Sequence, residues 1–170
     1  MSTTTTPVFH PLLKMIVLRD YPGERFQELW DHLRAQDYAF DDIVRHDPML
    51  FINQFAIPGN LFFEVGDMKG LITASNVVPL LSTNLHLSMW DKVSAHELIS
   101  AIKSLEAYLF YEYSLHRISA FIPDQNLQAR RLAHVLGYKT EGIIRQSFLV
   151  NKKYSDVHLF GLLRSEFDRQ

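Results

Sequence analysis

Chemistry on this chain has to come from histidines, carboxylates and hydroxyls, because its 170 residues include no cysteine. The histidines are scattered, with no H-x-x-x-H or H-E-x-x-H pair, so a zinc site has neither paired imidazoles nor thiolates. No G-x-S-x-G elbow and no Walker loop occurs. His86 is the first candidate for proton transfer. It alternates with Leu85 and Leu87, so it projects to the opposite side of a strand, and an imidazole of pKa about 6.5 takes a proton near neutrality. A hydrogen-bonded sheet histidine is the plainer reading of the same residue. Glu64, on a preceding apolar run, is the second candidate, with a structural role again the plainer one. Ser94-Ala95-His96-Glu97 fits the S-x-x-E capping box, in which Ser94 and Glu97 satisfy the amides at a helix start. Asn126, after Pro123-Asp124, sits where a helix N-cap belongs.

The elements that must carry these residues follow from periodicity. Met15 to Leu18 reads as a short strand, and Phe26, Leu29, Trp30 and Leu33 recur as on an amphipathic helix. Asp37 to Arg45 suggests a second, shorter helix, ended by Asp47-Pro48. Leu61–Val65 and Leu71–Val78 read as strands around a Gly66–Gly70 turn. Leu85, Leu87 and Met89 alternate with His86, Ser88 and Trp90 in a further strand. A long helix follows from about Ala95 to Tyr113, with Leu98, Ile102, Leu105 and Leu109 on one face. His116–Ile122 reads as a buried strand. The next helix carries Leu127, Leu132, Val135 and Leu136 and stops at Gly137. Tyr138–Val150 and Tyr154–Leu163 then look extended, with Val157, Leu159 and Leu163 sharing a parity.

Composition narrows the setting. A hydrophobic fraction of 47% over 170 residues suits one globular domain, expected over 12–170, after a loose Thr-rich arm over 1–11. A formal charge of −2 gives no electrostatic case for nucleic acid or an anionic membrane. No apolar run approaches the roughly 18 residues of a membrane span, and no signal-peptide layout is present. The absence of cysteine fits a cytoplasmic protein.

The stretch His116 to Asp156 resembles the C-terminal half of the GNAT superfamily of N-acetyltransferases. It is closest to the branch that acetylates protein N-termini, such as those of ribosomal proteins. The residues that carry the resemblance are His116-Arg117, Asn126, Leu136-Gly137-Tyr138, Glu141-Gly142, Arg145, and Tyr154 with Asp156. It implies an α/β (α+β) fold, with a mixed, mostly antiparallel sheet of about seven strands and helices on both faces. It also implies acetyl-CoA as co-substrate, with no metal. The pantetheine arm would lie where the strand carrying Leu87 and Met89 splays from the strand His116–Ile122, and Asn126 would hydrogen-bond it. Arg130 or Arg131 would reach the nucleotide phosphates. The acceptor would be a primary amine, on a protein N-terminus or a small molecule, drawn by the acidic residues Asp31, Asp37, Asp41, Asp42 and Asp47 if these do more than form a solvated face.

This chain departs from the family in places. The glycine-rich phosphate loop aligns with Asp91 to His96, where Lys92, Val93, Ser94, Ala95 and His96 offer larger side chains and little positive charge. A closed Ser94–Glu97 box would place a carboxylate where the phosphates belong, whereas Lys92 and a protonated His96 would compensate. Two positions where the family carries a hydroxyl near the cofactor thiol hold Ala129 and Ala133. Glu141-Gly142 reads as structural, and so do Tyr154 and Asp156 at a strand start. The Trp-Asp-Lys loop resembles that of acetyltransferase-like proteins encoded by bacteriophages. The alternative function is therefore a catalytically degenerate GNAT-fold binding or structural protein; with either function a monomer or homodimer is expected.

Overall fold

The apolar residues of the first hairpin face two ways, and the layers follow from that. A computed structural model describes residues 10–17, 20–42 and 44–170. Most of the expected N-terminal arm lies outside them, as do Leu18 and Arg19. The strands are β1 (Leu13–Met15), β2 (Leu61–Val65), β3 (Gly70–Val78), β4 (Ser82–Met89), β5 (Arg117–Pro123), β6 (Lys139–Val150) and β7 (Lys153–Leu163). The helices are α1 (Gly23–Arg34), α2 (Pro48–Ala56), α3 (Ala95–Glu112), α4 (Leu127–Val135) and the short α5 (Arg164–Phe167). The strands form one seven-stranded sheet in the order β1-β2-β3-β4-β5-β7-β6. Among the described residues only β4 and β5 pair in parallel; the other pairings are antiparallel.

Strand period then sorts the side chains into two cores. Phe63, Val65, Ile72 and Ala74 pack with Ile102, Leu105 and Leu109 of α3 and with Ala133 of α4. Their neighbours Phe62 and Leu71 pack on the opposite face, with Leu29, Trp30 and Leu33 of α1 and Phe51 of α2. Each large side chain so buried contributes about 1.5–3 kcal/mol. This is the two-faced, mostly antiparallel arrangement that the resemblance implies.

Three local expectations are corrected. Asp47-Pro48 does not end a helix over Asp37–Arg45; it opens α2. The Asp47 carboxylate accepts the Met49 N–H at 2.9 Å, and Pro48 occupies the first turn, where a missing N–H is not needed. Residues 37–42 are turns, and Val44–His46 make a 3-10 turn. On α4, Leu127 and Val135 are exposed, and the buried face is Ala133 and Leu136. On β7, Val157 is buried, but further along the strand the core residues are Phe160 and Leu162 rather than Leu159 and Leu163. An interior strand covered on both faces hides its period.

Several signature residues turn out to hold the sheet together. Arg117 on β5 pairs with Glu141 on β6 at 2.5 Å, across the intervening β7. A Cβ at Gly161 of β7 would collide with both side chains, so glycine there lets the ion pair lie flat. Asp156 accepts the Gln146 N–H at 2.9 Å, fixing an irregularity of β6 where Gln146 has φ of 52°. Tyr154 is exposed.

The tip of the β6–β7 hairpin is tied to the α1–α2 connection. The Asp42 carboxylate accepts the N–H of Lys152 at 2.7 Å and of Asn151 at 3.1 Å, both turn residues of positive φ. The Asp42 N–H in turn donates to the Leu149 carbonyl at 2.9 Å. The Lys152 amide, above all, holds the Asp42 carboxyl below its ordinary pKa. A depressed carboxyl stabilises the fold above its unfolded pKa of about 3.9 and loses that effect as pH falls through the folded value. Asp42→Ala is expected to speed hydrogen exchange at Asn151 and Lys152 and to lower the thermal midpoint at neutral pH. The difference from wild type should vanish in acid below the carboxylate range, which a pH series of melts would check.

Candidate active site

β4 and β5 pair only where Ser82, Thr83 and Asn84 meet Arg117, Ile118 and Ser119. Beyond that point they part. Leu85–Met89 and Ala120–Pro123 continue as strands with no register between them, so their facing edges carry backbone groups outside the ladder. The gap is a cleft containing a cavity of about 110 Å³. Residues Leu85 to Ser88 form one wall, Ala120 to Pro123 the other, and Asn126 and Ala129 of α4 close one end.

The cleft passes through the sheet. His86 stands opposite Thr73 and Ser88 opposite Leu71, so both project toward the α1–α2 face, where Tyr38 and Ala39 also line the opening. Leu85 projects to the other face, where the lining is Ile102, Ala133, Leu136 and Tyr138. His86 is exposed to this opening, yet enough protein surrounds the ring that desolvation holds its pKa below the usual imidazole value. Its neutral form therefore prevails at pH 7.

The other expected residues distribute as follows. Leu87 lines the cleft, while Met89 packs against the α3-side core. Asn126 lines the cleft and caps α4, its side-chain oxygen accepting the Ala129 N–H at 3.1 Å. Arg130 turns back to the carbonyl and carboxylate of Asp124, at 3.1 and 3.0 Å, and Arg131 is exposed. Glu64 is not in the cleft. Buried on the α1 face, it accepts from Arg25 at 2.6 Å, Tyr21 at 2.8 Å and the Met68 N–H at 3.1 Å, which anchors α1 to β2. Burial and then Glu64 push the Tyr21 hydroxyl up to about 12.

At the start of α3 the capping box closes only by half. The Ser94 hydroxyl oxygen accepts the Glu97 N–H at 3.2 Å, but the Glu97 carboxylate accepts the Ser94 O–H at 2.7 Å rather than the Ser94 N–H. Among the described residues, the amides of Val93, Ser94, Ala95 and His96 make no hydrogen bond. Lys92 is exposed there, and its own N–H donates to the Asp91 carboxylate at 2.7 Å. His96 lines a separate hollow with His10, Asp67 and Glu97.

Sequence reasoning missed one pair. Glu106, on α3, is fully buried, and neither carboxylate oxygen has a hydrogen-bond partner. Desolvation pushes its pKa up to about 8, against smaller opposing effects of Tyr138 and Lys103. The Tyr138 hydroxyl is also buried and unpartnered; it lies near enough to Glu106 for each to affect the other, but no well-aligned bond closes between them. A signal was available: Glu106 falls one turn after Ile102, inside the apolar stripe of α3.

No protein-family model matches the chain. The probable N-acetyltransferase YjcK of Bacillus subtilis (strain 168) is 30% identical over 66 residues, 39% of this chain and 36% of that protein. The uncharacterised N-acetyltransferase p20 of Bacillus licheniformis is 31% identical over 78 residues, 46% of this chain and 42% of the relative. The matched stretch thus spans less than half of either relative. Among solved structures, the spermidine N-acetyltransferase from Vibrio cholerae in complex with CoA and spermine superposes with a TM-score of 0.72 at 16% identity, covering 92% of this chain and 98% of that one. RimJ of Mycobacterium smegmatis in complex with CoA-disulfide gives 0.71 at 20% identity, covering 91% and 82%. The element order, the parting of β4 from β5 and these superpositions agree, and the chain has the fold of the GNAT N-acetyltransferases.

Proposed function

We propose that this protein transfers an acetyl group from acetyl-CoA to a primary amine by direct attack of the amine on the thioester. The observation that carries the reading is the cleft between β4 and β5, open to both faces of the sheet and walled by strand edges outside the ladder. An extended ligand with amides of its own adds to such edges as another strand would. The pantetheine arm is such a ligand. Its phosphates would meet the amides of Val93 to His96 and Lys92, at the positive end of α3. Asn126 would bind the arm while keeping its capping bond, and Arg131 is exposed for the nucleotide.

The amine enters from the Tyr38 face, where His86 in its neutral form takes the ammonium proton through water. Position does the rest: a neutral amine held against the thioester carbon attacks without further activation. The acceptor we propose is a protein N-terminus. The α1–α2 carboxylates are occupied by the fold: Asp31 by Arg34, Asp37 by Arg45, Asp42 by the hairpin tip and Asp47 by the α2 cap. That leaves them poorly placed to draw an extended polycation. A cytoplasm would supply the acetyl-CoA that this reaction needs.

One observation favours the binding-module reading. The Glu97 carboxylate lies at the start of α3, where it repels a pyrophosphate. Calorimetric titration with acetyl-CoA separates the two. The enzyme reading expects micromolar binding, weakened on the order of tenfold in Asn126→Asp, which keeps the cap acceptor but removes the amide donor. Glu97→Gln should tighten binding several-fold by removing the repulsion. Silence at millimolar acetyl-CoA, in calorimetry and in thermal shift, would sink the enzyme reading and leave the module. In addition, the His86 imidazole should titrate below pH 6.5 by NMR. A value at or above that would remove it as the base.

A further inference from the structure

We infer that the Tyr138 hydroxyl, backed by the Glu106 carboxyl, protonates the thiolate that leaves when the thioester is cleaved. This rests on the acetyltransfer reading and assigns it an acid. Acyl transfer needs a proton on the departing sulfur, and α4 offers no hydroxyl for it: Ala129 and Ala133 line the cleft at the two positions in question. Three cleft residues carry an O–H: Tyr38, Ser88 and Tyr138. Tyr38 and Ser88 belong to the α1–α2 side, which the acceptor uses. Tyr138 lines the cleft from the α3–α4 side with Ala129 and Ala133, and its backbone N–H donates to the Ala133 carbonyl at 3.0 Å, which holds the chain there against the end of α4.

The two groups are also uncommitted. Other acid–tyrosine pairs on this chain are closed: the buried Glu64 accepts from Tyr21 at 2.8 Å, and at the surface Asp168 accepts from Tyr111 at 2.7 Å. Tyr138 and Glu106 have no such bond, and no other partner. The charged and titratable neighbours of Glu106 are Lys103 on its own helix and Tyr138 opposite. The sheet residues in the same core, Phe63 and Ile72 of β2 and β3, Ile118 of β5, and Phe160 and Leu162 of β7, are apolar.

Acidity shows why both are needed. A phenol raised by burial is a poor donor to a thiolate, whose conjugate acid has a pKa of about 8.5. A carboxyl at about 8 matches it. In the step, the amine nitrogen bonds to the carbonyl carbon and the C–S bond breaks, its electron pair going to sulfur. Sulfur takes the Tyr138 proton as Tyr138 takes the Glu106 proton. The nitrogen's proton leaves through His86 to solvent, and one solvent proton restores Glu106 once the products have gone.

The test is steady-state acetylation of an acceptor peptide by wild type, Tyr138→Phe, Glu106→Gln and the double variant, against pH, with melts to confirm folding. We expect wild-type kcat to fall above about pH 8 as Glu106 ionises. Each variant should lose on the order of 10²-fold in kcat at pH 7, with the KM for acetyl-CoA little changed and that alkaline fall abolished. The double variant should be no worse than either single one. A purely structural Glu106 would alter the pH dependence of stability and leave that of kcat alone. Wild-type turnover untouched by either substitution overturns this inference by itself. No wild-type turnover overturns it together with the proposed function.

Discussion

The constraint on which the site depends is the unequal hold on two neighbouring strands. β4 is paired along its length to β3, and β5 along its length to β7, both antiparallel. Their mutual pairing is parallel and lasts only from Ser82 to Asn84. Parallel pairing is slightly weaker per residue, so it is the seam at which a sheet of this order opens. Once open, the seam leaves backbone donors and acceptors on two facing edges. Exposed strand edges are a hazard for aggregation unless something covers them. Here they face each other across a cleft between α4 and the α1–α2 connection.

Keeping that cleft open is the task of residues remote from it. The Asp42 tie holds the hairpin tip against the α1–α2 connection, and so keeps Tyr38 and Ala39 at the mouth. Arg117 and Glu141 brace β5, β7 and β6 as one unit, so that β5 does not follow β4. Pro123 ends β5 without an N–H to offer, and Asn126 begins α4 three residues later, turning the chain across the end of the cleft. The signature that is so recognisable in the sequence is in large part this bracing.

That explains what the sequence made legible. An element with one covered face, such as α3, announced its period, and the Gly66–Gly70 turn marked the β2–β3 hairpin although both of its faces are covered. Asn126 was legible too, because a cap is local chemistry. What was hidden depended on neighbours. Asp47-Pro48 has the same letters whether it stops one helix or starts the next, and only the commitment of Asp41 and Asp42 to turns decides it. The β7 parity was obscured because both of its faces are covered. Ser94 and Glu97 have the right spacing for a closed box, but the Glu97 carboxylate finds the Ser94 hydroxyl first. Glu64 could be read as a base from its strand position, yet Arg25 and Tyr21, some forty residues away in sequence, claim it. Glu106 was visible as a charge in an apolar stripe; its meaning required Tyr138 to arrive opposite.

The same physical force acts on the two groups proposed to handle protons, on opposite faces of one sheet. Desolvation disfavours charge, so it lowers the imidazole of His86 and raises the carboxyl of Glu106. Both are therefore neutral at pH 7. A neutral imidazole can act as a base and a neutral carboxyl as an acid, and desolvation is the largest influence on both groups. The open seam separates the two groups. His86 faces the side of Tyr38, whereas Tyr138 and Glu106 lie on the side of α3 and α4. In the proposed reaction a proton would leave nitrogen on one face and reach sulfur on the other, so the two transfers would not short-circuit. Separation by the sheet would then stand in for the hydroxyls that α4 lacks.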